Sequence, residues 1–509
     1  MSSRRLAVGA AGIAVLLGAL DTYVVVGVLT DMVHDLGIPV NHLERATPIV
    51  TGYLLGYVAA MPLLGQLSDR FGRRLVLQLC LVAFAVGSVL TAEAGSVPAL
   101  VGGRILQGAS GGALLPVTIA LVGDLWAKQG RSTALGAVGA AQELGSVLGT
   151  LYGVALAGLF NSWQFFHTVQ PQSWRWIFWI NVPLTLIAMT VVQFAVPATR
   201  EHPHSRPRVD LVGGALLATS LGVLIAGLYN PDPERSVLPA WGWPFIGVAL
   251  LVLLSFLWWE HRSPTRLIDP TGVRMSAFLA ILGTSLLAGS ALMVTLVDVE
   301  LFAQTLLGKS SGAATVLLVP FLIALPIGAL LGGWGARWRG ERLVACGGML
   351  IATIGYLLIS QWPVDVLQAR HLGFLPVLPT DLAIAGMGLG LIIAPLSAAM
   401  LQIVPAAAHG TGSAMVVVAR TTGMLIGISA LTAWGLHRFR VLTATLNTPL
   451  PFGVPARTYA AQLARYHRNV NVALHSEYTE IFLITAALCL VAAASSLLLT
   501  RPESNQNGR

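Results

Sequence analysis

Apolar stretches long enough to cross a bilayer follow one another almost from end to end of this 509-residue chain, broken only by short basic or Pro/Gly-rich joints. A spanning helix needs roughly 20 mostly apolar residues, because backbone N–H and C=O groups inside lipid find partners only within the helix itself. Few folds remain open to such a pattern. Charged residues make up 10% of the chain, against about 25% in soluble globular proteins, so a soluble enzyme is excluded. Disorder and fibrous structure are excluded too, since nothing is polar, repetitive or charge-dense enough.

Fourteen spans are expected, near 7–30, 47–67, 75–95, 98–122, 132–160, 176–197, 210–230, 242–259, 275–301, 312–334, 343–361, 381–403, 411–437 and 479–500. The first follows Arg4 and Arg5 and resembles a signal peptide. Its apolar run from Leu6 to Thr30 is too long for one and lacks a clean small-residue cleavage site, so it reads as a retained helix. The formal charge is +8, but the 28 arginines and 2 lysines are scattered over many short joints. That distribution marks membrane topology rather than a nucleic-acid surface. With the N-terminus inside, the inner joints hold 18 basic residues and the outer ones 5, once the long segment 438–478 is left out. Cytoplasmic loops carry the excess of Arg and Lys, so both termini are expected in the cytoplasm.

The spans sort into six, two and six, divided by the basic linkers Thr199–Asp210 and Glu260–Arg274. The expected fold is thus an all-α integral membrane protein with 14 transmembrane helices. Residues 1–198 form a first six-helix bundle, 199–274 the linkers and an inserted helix pair, and 275–509 a second bundle. Repeated halves of this kind are typical of secondary transporters.

After the second span stands Gly65-Gln-Leu-Ser-Asp69-Arg70-Phe-Gly72-Arg73-Arg74, and in the fourth Arg104-Ile-Leu-Gln107-Gly108. These resemble the two best-known signatures of the major facilitator superfamily. Glycine at 65 and 72 permits a tight turn and close helix approach. Asp69 can hold a helix N-terminus or an arginine across the interface between halves, a latch for one conformation. The second half carries a partial copy, Gly333-Trp-Gly-Ala-Arg337-Trp-Arg-Gly340-Glu-Arg342, without the aspartate. Further segments (Leu20-Asp21-Thr22, Trp174 to Pro183 and Gly410 to Arg420) resemble the fourteen-helix drug:proton antiporter family, and the likeness covers essentially the whole chain.

The fifth span departs from that family's antiporter signature, with Thr150 in place of its proline and Val154 in place of a glycine. The chain is most similar to the lipid-exporting branch found in mycobacteria. The resemblance implies proton-coupled export of a triacylglyceride-like lipid from a bacterial inner membrane, by a monomer working with a periplasmic lipoprotein carrier. It implies no cofactor beyond the proton gradient. The alternative is proton-coupled efflux of small hydrophobic drugs.

A charge at the centre of a span costs a few kcal/mol or more, so each such residue is a functional candidate. Asp21, Arg104, Glu143 and Arg420 qualify, with Asp298 and Glu300 near one end of the ninth span. Either Asp21 or Glu143 could neutralise Arg420. In a coupled transporter, that carboxylate would release its arginine on protonation. Asp298 and Glu300 are either further functional acids or solvated at the outer water interface. Arg104 is expected in the motif role beside the proton pathway, with Gln107 and Gly108.

Other chemistries find little support. All eleven histidines lie in loops or at span ends, which disfavours a membrane acyltransferase. Cys80, Cys346 and Cys489 sit in apolar runs without metal-ligand spacing, so no metal is expected. The run Ala303 to Ser310 resembles a phosphate loop but lacks its first glycine. Finally, the segment 438–478 reads as helix on both sides of a break at Asn447–Pro455, which holds three prolines and a glycine. Two spans prolonged into an outer helical hairpin are expected, suited to lipid handover.

Overall fold

The computed structural model describes residues 2–37, 47–126, 128–162, 174–198, 209–228, 230, 238–263, 266, 273–450, 452 and 455–499. Among them the chain is helical nearly throughout. The first half holds α1 (Ser2–Val24), α2 (Leu29–Asp35), α3 (Thr47–Phe71), α4 (Arg73–Ala92), α5 (Val97–Leu125), α6 (Lys128–Ser162) and α7 (Arg175–Ala195). The inserted pair is α8 (Leu211–Leu228) and α9 (Gly242–Arg262). The second half holds α10 (Met275–Thr305), α11 (Ser311–Leu317), α12 (Val319–Arg339), α13 (Glu341–Ile359), α14 (Val377–Leu391), α15 (Ile393–Ile403), α16 (His409–Thr443) and α17 (Ala456–Ser496).

Thirteen helices among the described residues are long and apolar enough to cross a membrane. The expected fifth span lies in the 35-residue α6. The membrane helices therefore number about thirteen or fourteen.

Two departures from the expected pattern have local causes. The first span is interrupted by a 3₁₀ turn at Val25–Val28, within a run rich in β-branched residues. The twelfth breaks at Ile392, where Pro395 cannot donate to the carbonyl of Leu391. Between α13 and α14 a short connection, Arg370–His371, pairs antiparallel with Leu375–Pro376 as a two-residue ribbon within the all-α fold.

Two large buried apolar clusters organise the interior, with a smaller third around Val24, Met32, Ile49, Trp174 and Phe178. One draws on α1 and α3 to α9, with Ala394, Ala398, Leu401, Ala414, Val417 and Val418 of α15 and α16 joining it from the second half. The other lies within α10 to α17 and the segments between them. The halves meet where α16 packs on α3 and α5, and where α12 packs on α6. The inserted helices pack on each other, and α8 leans on α3. Asp210 fixes that pair. Its carboxylate accepts the Gly213 N–H at 2.9 Å and the Trp259 indole N–H at 3.0 and 3.1 Å, while its own N–H donates to Gln66 Oε1 at 2.9 Å. The opposite face of α9 exposes Leu250, Leu251, Leu254, Leu257 and Trp258, as a lipid-facing surface does. Most of the expected linkers, 199–208 and 267–272, lies outside the described residues.

The longest helix is the last, in line with the unbroken run expected from Ala456. At 1.5 Å per residue the 41 residues of α17 extend about 60 Å, roughly twice the hydrocarbon thickness. Helix α16, at 35 residues, is also longer than a crossing needs. A bond from Arg438 Nε to Glu480 Oε1 at 2.7 Å ties the two together. On the N-terminal part of α17, Tyr459, Leu463, Tyr466 and Val470 are half-buried among exposed neighbours. Their spacing is that of one helix face.

Candidate functional site

Asp21 sits on α1 with no exposure, and its cation is Arg104 of α5, equally enclosed. Arg104 Nη1 donates to Asp21 Oδ2 at 2.6 Å, and Asn181 Nδ2 of α7 donates to Oδ1 at 2.8 Å. Both carboxylate oxygens are thus engaged. The guanidinium lies 4.2 Å from the centre of the Tyr53 ring, a cation–π contact. Gln107 stands one turn along α5. Its Oε1 accepts from Arg104 at 3.2 Å and from Thr91 Oγ1 at 3.0 Å, and its Nε2 donates to Ser88 Oγ at 2.9 Å. Gly108 lets α5 lie against the Tyr53 backbone, where a Cβ would collide with the carbonyl oxygen.

Arg420 is therefore not the partner of Asp21. It reaches across from α16 to Glu143 of α6, with Nη2 and Oε1 at 2.8 Å. This contact joins the two halves. It is an ion pair without hydrogen-bond alignment, since Glu143 Oε1 has no hydrogen-bond partner. Arg420 keeps a side-chain exposure of 20%, against 5% for Glu143. Arg420 also lines a cavity between the halves. Its wall is mostly apolar, from Leu115 and Ile119 across to Leu292, Leu325 and Leu396. Gln142, Ser285, Ser397 and Arg420 supply the polar groups. Sequence reasoning separated the four intramembrane charges from the rest but left Asp21 and Glu143 both open as partners of Arg420, because it gives each residue's depth and not its azimuth.

The latch motif is closed. Asp69 Oδ1 accepts the Gly410 N–H at 2.8 Å, and Oδ2 accepts the N–H and hydroxyl of Thr411, each at 3.0 Å. It thus caps the start of α16, where unpaired N–H groups and the helix dipole favour an anion. Arg73 Nη1 binds the same carboxylate at 2.5 Å, and its Nε donates to Asp124 Oδ2 at 2.9 Å. Asp124 also meets His409 Nδ1 at 3.2 Å. Gly65 faces Gly410 so closely that a Cβ on either would run into the other's carbonyl. Gly72 has φ +93°, the left-handed conformation that glycine allows, and turns α3 into α4. Arg70 is exposed over the Phe71 ring and makes no latch contact among the described residues.

The partial copy in the second half also bridges the halves. Gly340 has φ +82°, matching Gly72, and Glu341 stands where the first copy has Arg73. Its Oε1 accepts from Ser132 Oγ at 3.1 Å, beside a close approach of Gly136 and Gly333.

Asp298 lies not at a water interface but buried at 4% exposure, with Oδ2 unpartnered. Glu300 is half-exposed and accepts from Gln304 at 3.1 Å. Several polar residues escaped sequence reasoning. Asn181 had a signal, since it stands in the Trp174–Pro183 segment that resembles the family. Glu477 was read as lying outside the membrane. Asp381, bound by Trp362 Nε1 at 2.9 Å and His371 Nε2 at 2.8 Å, had none.

Buried ion pairs, a closed latch between halves and an apolar cavity belong to a multi-pass membrane transporter. The chain belongs to the major facilitator superfamily, whose family model matches residues 11–211 and 210–428. It is 57% identical over 457 residues to a protein of Mycobacteroides abscessus named triacylglyceride transporter, covering 89% of this chain and 87% of the relative. A protein of the same name from Mycolicibacterium smegmatis is 53% identical, over 98% of this chain and 88% of its own. The fold is shared with a human organic anion transporter, at 18% identity and a TM-score of 0.57, over 96% of this chain and 99% of that one. A proton:xylose symporter superposes similarly, at 16% identity and a TM-score of 0.58, over 96% and 95%.

Proposed function

We propose that the protein is a proton-coupled exporter that moves a triacylglyceride-like lipid from the bacterial inner membrane towards the periplasm by alternating access. The observation that carries this reading is the apolar cavity between the halves, with the Glu143–Arg420 pair at its edge. An apolar wall takes acyl chains without leaving polar groups of its own unpaired. A charge pair spanning the halves cannot stay intact when they rock apart.

In the proposed cycle a proton reaching Glu143 cancels its attraction for Arg420, and the halves are freed to rearrange around the lipid. Asp21, held by Arg104 and Asn181, is the second protonatable group. Its protonation would release Arg104 within the first half. The side bearing Asp69, Arg73 and His409 is cytoplasmic in this reading, as are both termini, so the closed latch corresponds to a state sealed towards the cytoplasm. Asp298 and Glu300 are not part of this path.

The prolonged α16 and α17 then project into the periplasm, where a lipid that cannot diffuse through water needs an apolar route or a lipoprotein carrier. The relatives named triacylglyceride transporter support that substrate class. One observation favours small-drug efflux instead: the cavity sets a few polar groups, Gln142, Ser285, Ser397 and Arg420, in an apolar wall, the pattern of small-molecule sites. Reconstituting the protein in liposomes with labelled triacylglyceride and an imposed pH gradient decides between them. Gradient-dependent movement of the lipid supports export. Movement of a small dye or drug alone supports efflux.

A further inference from the structure

Three helices of the second half meet at a pair of acids that the proposed cycle does not use. Asp298 is on α10, buried with Oδ2 unpartnered, and it feels the charge of Glu477 on α17. Glu477 lies against α16 at Gly435, where its Oε1 would be 2.5 Å from a Cβ. Glycine at 435 is what admits the carboxylate between the helices.

No cation answers these acids among the described residues. On α16 the nearest arginine in sequence to Gly435 is Arg438, and it is bound to Glu480 at 2.7 Å. Arg440 stands further along α16, with an interaction of its own. On α17 the His475 ring is engaged by the Trp362 carbonyl at 2.7 Å, and the Tyr478 hydroxyl by Thr305 at 3.1 Å. On α13, Tyr356 is taken by Thr295 at 2.5 Å and by the Ala291 carbonyl at 2.9 Å. Helices α11 and α15 contribute no ionisable group. Glu300, on α10 itself, adds negative charge nearby and is bonded to Gln304.

A buried carboxylate with an unpaired oxygen and a second carboxylate as neighbour is far costlier as a dianion than with a proton aboard. We propose that Asp298 and Glu477 hold one proton between them, a protonation site in the second half separate from Asp21 and Glu143. With the proton bound, α10 stays packed against α16 and α17. Without it, two like charges face each other in a low-dielectric junction and loosen the base of the long helical arm. The site extends the proton-coupled reading and gives the second half its own proton.

Infrared difference spectroscopy of the purified protein in nanodiscs, titrated from acid to alkaline pH, tests this without any transport assay. The expected result is the carbonyl stretch of a protonated carboxylic acid, shifted in heavy water, present at neutral pH. It should vanish in Asp298→Asn, titrate at lower pH in Glu477→Gln, where the neighbouring like charge is gone, and persist unchanged in Asp21→Asn, Glu143→Gln and Glu300→Gln. Both amides mimic the neutral acid, so the variants should stay folded. No such band at neutral pH in the unaltered protein overturns the proposal. So does a band that survives Asp298→Asn or titrates unchanged in Glu477→Gln, or one whose titration tracks sodium concentration in place of pH. If the band behaves as expected while no gradient drives transport, the site stands and the proton-coupled reading falls.

Discussion

The two buried ion pairs of the membrane interior are built to opposite specifications. Asp21–Arg104 lies wholly within the first half, with both carboxylate oxygens engaged and an aromatic ring over the guanidinium. Glu143–Arg420 joins the halves at the edge of a cavity, with one oxygen poorly aligned and the arginine partly open. A pair inside one rigid half survives rocking. A pair between halves has to break in every cycle, so weak alignment and access from the cavity suit it. The difference assigns the first pair mainly to holding its half together and the second to coupling.

The sharpest way to break that comparison is to truncate each arginine. Arg104→Ala leaves Asp21 buried without its cation, which costs about 3–5 kcal/mol in such settings. The folded fraction in the membrane and the thermal midpoint should drop steeply. Arg420→Ala leaves Glu143 beside a cavity that can admit water, so the midpoint should move far less while gradient-driven transport is lost. Equal losses of stability in the two variants would erase the distinction.

Shortening the arm separates delivery from coupling. Replacing 440–470 with a Gly-Ser turn leaves both ion pairs and the latch untouched. Lipid export to an acceptor should fall by at least about tenfold, an effect of 1.4 kcal/mol or more on the barrier. Folding, read by size-exclusion profile, should be unchanged. Normal lipid export by the shortened protein would remove the arm from the mechanism.

At the latch, Asp69→Asn keeps the shape but loses the charge that caps α16 and binds Arg73. Loss of a hydrogen-bonded charge contributes about 1–3 kcal/mol. Cysteine labelling between α3 and α16 should therefore become faster from the side bearing the latch. Smallest is Ser132→Ala, which removes the single hydroxyl bond to Glu341. A bond of that kind is worth about 0.5–1.5 kcal/mol. Labelling near Gly333 should rise only modestly, well below the Asp69→Asn effect.

How much of this could be read from residues alone follows from what sequence encodes. Span positions follow directly from apolar length, and α3 to α6 begin and end within a few residues of expectation. The long α17 was legible as well, because no proline or glycine interrupts Ala456–Ser496. The role of Asp69 at a helix start followed from its motif. The partner of Asp21 did not, because hydropathy reports depth in the bilayer but not which face of α1 meets α5. Glu477 was hidden for a related reason. A helix prolonged beyond its span looks solvated until α10 and α16 are seen to pack against it.

The most direct test of the central claim compares the unaltered protein with Glu143→Gln in liposomes carrying labelled triacylglyceride. With an imposed pH gradient, the unaltered protein should accumulate lipid against its concentration difference. Glu143→Gln should still equilibrate lipid downhill but should gain nothing from the gradient. Gradient-driven accumulation at the unaltered rate in Glu143→Gln would contradict the account, because the pair between the halves would then have no part in coupling.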